Sequence, residues 1–332
     1  MTREATMDSP GWISAHIYRC DSLDALIDGA ARPLVAELRA GALIDGQFFV
    51  RYWQGGPHLR LRLRPSADAH RAVVNDALDA AIGAFLRAHP SRNAIRPEDY
   101  LASARPLSLA EPGGHAIEPL EPVDTVRRRS YEPEHDRYGG AAAMAAAEQQ
   151  FIASSDIAYD VIAAHRGRDH RTGHALAAMF VAAAVCEGPE GIVAYCSAAR
   201  SEWGRGLMFG DVDRQEAQLE ERYRRQRPRL RELVQQLTEL VTGGASDDGA
   251  LGQWLSAMRN LKASLVALDA AGQLAHSIGR VIRLCTHMHC NRLGISLPEE
   301  AYLRYLLWRA AGDLASGEPA APEPAHHDER QP

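Results

Sequence analysis

Residues 48–64 read FFVRYWQGGPHLRLRLR and constrain the fold more than any other stretch of the chain. Two apolar-rich runs with strand character meet at a Gly-Gly-Pro turn, which is the pattern of a hairpin. Side chains alternate along a strand, so Leu59, Leu61 and Leu63 face one way and His58, Arg60, Arg62 and Arg64 the other. The leucines can enter a core. The opposite face then carries three guanidinium groups and an imidazole, about 7 Å apart at ~3.3 Å per residue. Such a row repels itself and is relieved by an anionic group, which the planar fork of arginine grips through two hydrogen bonds. The alternative is an exposed edge strand whose arginines discourage edge-to-edge pairing.

The 332 residues, 46% of them hydrophobic, suffice for one large core or two smaller ones. A net charge of −6 offers no global attraction to nucleic acid or to an anionic membrane, so neither is expected as a direct partner. Lys262 is the only lysine among 37 basic residues. That skew, with the many alanines, is what a GC-rich genome produces, and arginine position rather than number carries weight. The five cysteines, Cys20, Cys186, Cys196, Cys285 and Cys290, are odd in number and include no CxxC pair. They suggest neither a disulfide framework nor a zinc ribbon. The first residues lack the basic start and apolar stretch of a signal peptide, and no run approaches ~18 apolar residues. A cytoplasmic protein is expected.

The first 140 residues mix strands and helices. Residues 12–20 read as a strand. Residues 21–40 read as a helix capped at Asp21 or Ser22 and broken or kinked by Gly29 and Pro33. Helical spacing returns over 67–88, residues 89–122 have the composition of a long irregular connection, and a strand is expected over 125–131. Beyond it lie predicted helices at 141–165, 173–186, 189–201, 213–242, 250–270, 273–293 and 298–312. The fold class is therefore α+β: an antiparallel sheet with flanking helices, followed by a mainly helical C-terminal half. Residues 1–315 are expected to form one domain and 316–332 a disordered tail.

Two further segments carry candidate chemistry. YEPEHDRYGG places Tyr131, Glu134, Arg137 and Tyr138 ahead of two glycines and a helix start, which suits an anion; the alternative is a plain turn in which Arg137 pairs with Glu134. THMHCNRL, residues 286–293, offers Cys285, His287, His289 and Cys290 for zinc, but residues two apart on a helix point about 200° apart, so no metal site is expected. His287 and Asn291 stand at i and i+4 on one face. A histidine so placed can serve as a general acid or base, or can be a buried ring satisfied by Asn291.

These three segments, in this order, resemble the C-terminal elimination domain of lantibiotic dehydratases, a family that includes stand-alone proteins of thiopeptide biosynthesis. The resemblance spans residues 12–309. It implies a lyase without a cofactor. A separate glutamylation protein would esterify Ser or Thr of a ribosomal precursor peptide with glutamate from glutamyl-tRNA. This chain would then expel the glutamate, leaving dehydroalanine or dehydrobutyrine. The alternatives are a pyridine synthase joining two dehydroalanines by formal [4+2] cycloaddition, and a non-catalytic subunit that binds the precursor. The resemblance implies His287, Arg60, Arg62 and Arg137 as catalytic, and His58, Arg51, Tyr138, Asn291 and Arg292 as substrate-binding. A homodimer is compatible with it.

Overall fold

The computed structural model describes residues 11–110, 116–164, 167–207, 212–243 and 249–316; the expected tail lies outside them from residue 317 onward. Four antiparallel strands form one sheet in the order β2-β3-β1-β4: β1 Ile13–Tyr18, β2 Ile44–Tyr52, β3 His58–Pro65 and β4 Thr125–Arg128. The register pairs Ile13, Ala15 and Ile17 with Leu63, Leu61 and Leu59, so these six apolar side chains share one face of the sheet. All six are fully buried. The other face carries Ser14, His16 and Tyr18 opposite Arg62, Arg60 and His58. Because β3 lies between β1 and β2, the edge-strand explanation of its arginines fails.

Helices cover the leucine face. The segment after β1 runs through α1 (Leu23–Leu26), capped by Ser22, a π-turn at Ile27–Ala31, and α2 (Arg32–Ala40). The expected break is this π-turn. Pro33 lacks an N–H and its ring excludes the carbonyl four residues back, so the ladder widens there without ending. Gly29 sits inside the turn because a Cβ would meet the Phe85 ring of α3 (Arg71–Ala88) at 2.8 Å.

The connection expected to be irregular contains a helix, α4 (Pro97–Ala110). Pro97 opens it and Glu98 and Asp99 follow in its first turn, signals that the surrounding Pro, Ser and Gly had masked. The short α5 (His135–Tyr138) ends at Gly139 and Gly140, with φ of 88° and 120°, which release the chain into α6 (Ala141–Ala163). The helical half follows the sequence pattern closely. α7 (Gly167–Leu207) is interrupted at Gly188, with φ of 74°, where two separate helices were expected. α8 (Val212–Thr242), α9 (Ala250–Ala270), α10 (Ile278–Arg292) and α11 (Leu297–Ser316) complete it. α6 and α10 pack against β2, which joins the sheet to the helical half. Among the described residues no single helix is long and apolar enough to cross a membrane.

Candidate active site

A cavity of about 530 Å³ opens between the arginine face of β2 and β3, the turn holding α5, helix α10 and the start of α11. Arg60, Arg62, Arg137, Tyr138, His287 and Asn291 all line it, although they come from positions up to 231 residues apart (60 to 291). The three motifs therefore converge on one space.

On the sheet side, aromatic rings pack against the arginine row. Arg60 lies 3.5 Å from the centroid of Tyr52. Arg62 lies 5.1 Å from Phe48 and 4.6 Å from Tyr131. Arg64, at the far end, donates its Nε to Asp45 at 2.5 Å. Arg62 is 8% exposed, and its Nε has no hydrogen-bond partner among the described residues. Burial, with repulsion from Arg60 added, pushes its guanidinium down to about 10. Burying an unpaired charge costs several kcal/mol, and cation–π contacts return only about 0.5–2 kcal/mol each. An anion placed in the cavity would offset the remainder.

Arg137 pairs with Glu134 at 3.2 Å, so the bland alternative for that motif is realised, yet both side chains line the cavity. Tyr138 is buried there edge-on to Phe151, and burial raises its hydroxyl far above the usual phenol range. Tyr131, beneath Arg62, donates its hydroxyl to Glu148 at 2.7 Å.

On the helix side, His287 is satisfied by Glu300 instead of Asn291. Nδ1 lies 2.7 Å from Glu300 Oε2, and Oε1 of the same carboxylate accepts from Arg304 Nε and Nη2 at 3.1 and 2.6 Å. Burial works to raise the Glu300 carboxyl, but His287 and Arg304 outweigh it and hold it at about 2. An ionised carboxylate only accepts, so Nδ1 of His287 donates to it, which leaves Nε2 as the nitrogen able to take a proton. Glu300 and Arg304 stand at i and i+4 on α11, a spacing the sequence displayed, but nothing in it pointed that pair at a residue of α10.

Four other candidates sit differently. Asn291 lines the cavity while its amide grips the backbone of Arg51, accepting from its N–H at 2.9 Å and donating to its carbonyl at 2.8 Å. It thereby does for edge strand β2 what a neighbouring strand would do. The Arg51 side chain belongs to the leucine face, pairing with Asp24 at 2.5 Å and donating to the Arg292 carbonyl at 3.0 Å. Arg292 is fully buried, bonded to Ser155 and Ser154 at 3.0 and 3.3 Å, and does not line the cavity. His58 is likewise fully buried beneath it. Arg292 and His58 are thus placed to support the site from behind, whereas Arg51 lines the cavity with its guanidinium engaged by Asp24.

His289 turns away from His287 into the core, stacked on Trp254 at 4.2 Å with Nδ1 at 2.9 Å from Ser154 Oγ. Cys285 and Cys290 are buried, which pushes the Cys285 thiol up to about 12. Among the described residues no three His, Cys, Asp or Glu are grouped to hold a metal ion.

Residues 12–311 match the family described as lantibiotic biosynthesis dehydratase C-term. Among solved structures, the fold is similar to the pyridine synthase TbtD from thiomuracin biosynthesis, with a TM-score of 0.79 and 21% identity over 93% of this chain and 100% of that one. TsrL aligns at 0.64 with 18% identity over 93% and 99%. The tRNA-dependent lantibiotic dehydratase MibB from Microbispora sp. 107891 aligns at 0.57 with 20% identity, over 96% of this chain but 29% of that one. No curated protein matches in sequence. Matched over nearly its whole length, the chain belongs to the lantibiotic biosynthesis dehydratase C-terminal family.

Proposed function

We propose that the protein is the elimination component of a glutamyl-tRNA-dependent peptide dehydratase, acting on glutamylated Ser or Thr of a ribosomal precursor peptide after a partner protein has made the ester. The observation that carries this reading is the pairing of a buried guanidinium, Arg62, whose Nε has no hydrogen-bond partner among the described residues, with a histidine whose Nδ1 is held by a buried carboxylate. Elimination needs both. His287 takes the Cα proton, the C–H electrons become the Cα=Cβ bond, and the Cβ–O bond breaks so that glutamate leaves as a carboxylate. Negative charge develops on the peptide carbonyl and on the leaving group. Arg60, Arg62 and Arg137 supply preorganised positive charge for it. Glu300 stabilises the imidazolium formed at His287. Purified protein given glutamylated precursor peptide should release glutamate and leave the dehydro product by mass spectrometry. Persistence of the ester mass overturns the reading.

A second reading, formal cycloaddition between two dehydroalanines, is favoured by one observation, the end-to-end likeness to a pyridine synthase at TM-score 0.79 against 0.57 for the dehydratase. That chemistry releases no glutamate and requires no anion pocket. Offering a fully dehydrated peptide beside the glutamylated one separates the two, since each reading predicts turnover of one substrate alone.

A further inference from the structure

In the HLR triplet that opens β3, two side chains share a face of the sheet across one residue, within reach of each other. His58 Nδ1 lies 2.9 Å from the carbonyl of Gly56, and a carbonyl only accepts, so Nδ1 carries the ring proton. Nε2 is then a lone pair, and Arg60 Nε donates to it at 3.1 Å. Gly56 presents that carbonyl from a backbone with φ of 108°, where a Cβ would strike Leu120 at 2.9 Å. The imidazole cannot reach a ligand itself, being fully buried between His16, at 5.0 Å between centroids, and Tyr18, at 4.5 Å.

We propose that His58 is the positioning residue that aims Arg60: the imidazole holds Nε while Tyr52 holds the π face, so a substrate carboxylate meets the Nη1–Nη2 edge of the guanidinium. This rests on the reading that the arginine row takes the glutamyl group. Two fixed points on a planar group define its orientation, which one contact would leave free to rotate. Only the neutral ring can accept from Arg60. Burial, together with the charges of Arg60 and Arg62, outweighs the Gly56 hydrogen bond and holds the imidazole down at about 3, so the acceptor persists at neutral pH.

His58→Phe keeps the ring and its stacking but removes both nitrogens; His58→Gln restores an acceptor. With glutamylated peptide, His58→Phe should lower kcat/KM about tenfold in the wild-type background, the order expected for a hydrogen bond to a charged group. It should change little in an Arg60→Ala background, and His58→Gln should recover most of the loss. Equal losses in both backgrounds assign His58 a merely structural role and overturn the proposal. Arginine side-chain NMR reads the contact without any turnover. The Nε–H resonance that disappears in Arg60→Ala should be protected from exchange in the wild type and in His58→Gln, and unprotected in His58→Phe. Protection retained in His58→Phe rejects the positioning role whatever the reaction. Failure of the wild type to eliminate, with protection behaving as expected, rejects only the elimination reading.

Discussion

Arg62 and Arg304 are both guanidinium groups buried beside the same cavity region, 8% and 5% exposed, yet their surroundings push them in opposite directions. At Arg304 burial opposes the charge, but Glu300 outweighs it and raises the group above its ordinary value. At Arg62 burial is joined by repulsion from Arg60, and the pKa falls to about 10. The helix side of the cavity is internally complete: Arg304, Glu300 and His287 satisfy one another. On the sheet side the Arg62 guanidinium packs on rings, its Nε has no hydrogen-bond partner among the described residues, and Glu134 and Glu148 favour its charge too weakly to offset burial. A cation with its own carboxylate is part of the scaffold. One packed on aromatic faces would gain more from a carboxylate entering the cavity, as the proposed elimination requires.

The largest effect expected is at the group that joins the two sides. His287→Ala should reduce elimination by ~10²–10⁴-fold, the range for loss of a general base, as read from the rate of glutamate release. His289→Ala, two residues on, should instead lower the melting temperature, because Ser154 and His174 lose a partner and Trp254 its stack. Equal catalytic losses from both variants would erase the distinction between cavity and core.

Arg62→Met tests the contrast between the two arginines directly. It should cost about ten- to a hundredfold in kcat/KM for glutamylated peptide while leaving the fold as stable or more stable, since an unpaired buried charge is removed. Arg304→Met should do the opposite to stability, a loss on the order of 3–5 kcal/mol, by stranding Glu300. Calorimetry of the two variants decides the matter, and a fall in melting temperature for Arg62→Met would break the comparison.

The smallest effect is a pH dependence. Glu300 is depressed from 4.5 to about 2, so the fold takes up its proton later than the unfolded chain. Its stabilisation is fully present above pH 4.5 and is lost as the pH falls through about 2. Glu299, held at about 2 by Arg168, contributes in the same window, so Glu300→Gln should flatten the acid slope in part. Denaturant titrations at pH 6 and pH 3 measure it; an unchanged slope would show that Glu300 is not ionised in the fold.

Much of the architecture was legible because it depends on local repetition. The alternation in residues 58–64 assigned the leucines to the core and the arginines to the other face before any partner strand was known. Gly188, Gly139 and Gly140 marked real helix limits. Helix α4 was missed because its proline and acidic opening sits among residues whose average composition is that of a loop. The candidate list was right about which segments meet and less informative about which atoms face the cavity. Arg292 and His58 belong to the right segments, but helix rotation and burial turn them to the back, while Arg51 lines the cavity with its guanidinium held by Asp24.

The residues of this protein, taken alone, determined its periodicities: a two-residue alternation that makes a cationic sheet face, and a helical spacing that separates His287 from His289. Both follow from backbone geometry over a few residues, which sequence records directly. Only the tertiary structure decided that β3 is an inner strand, that Glu300 orients His287, and that Arg62 packs on rings with its Nε unbonded among the described residues. Those outcomes are contacts between side chains tens to hundreds of residues apart, and a buried charge's partner depends on which distant group packing brings within about 3 Å of it.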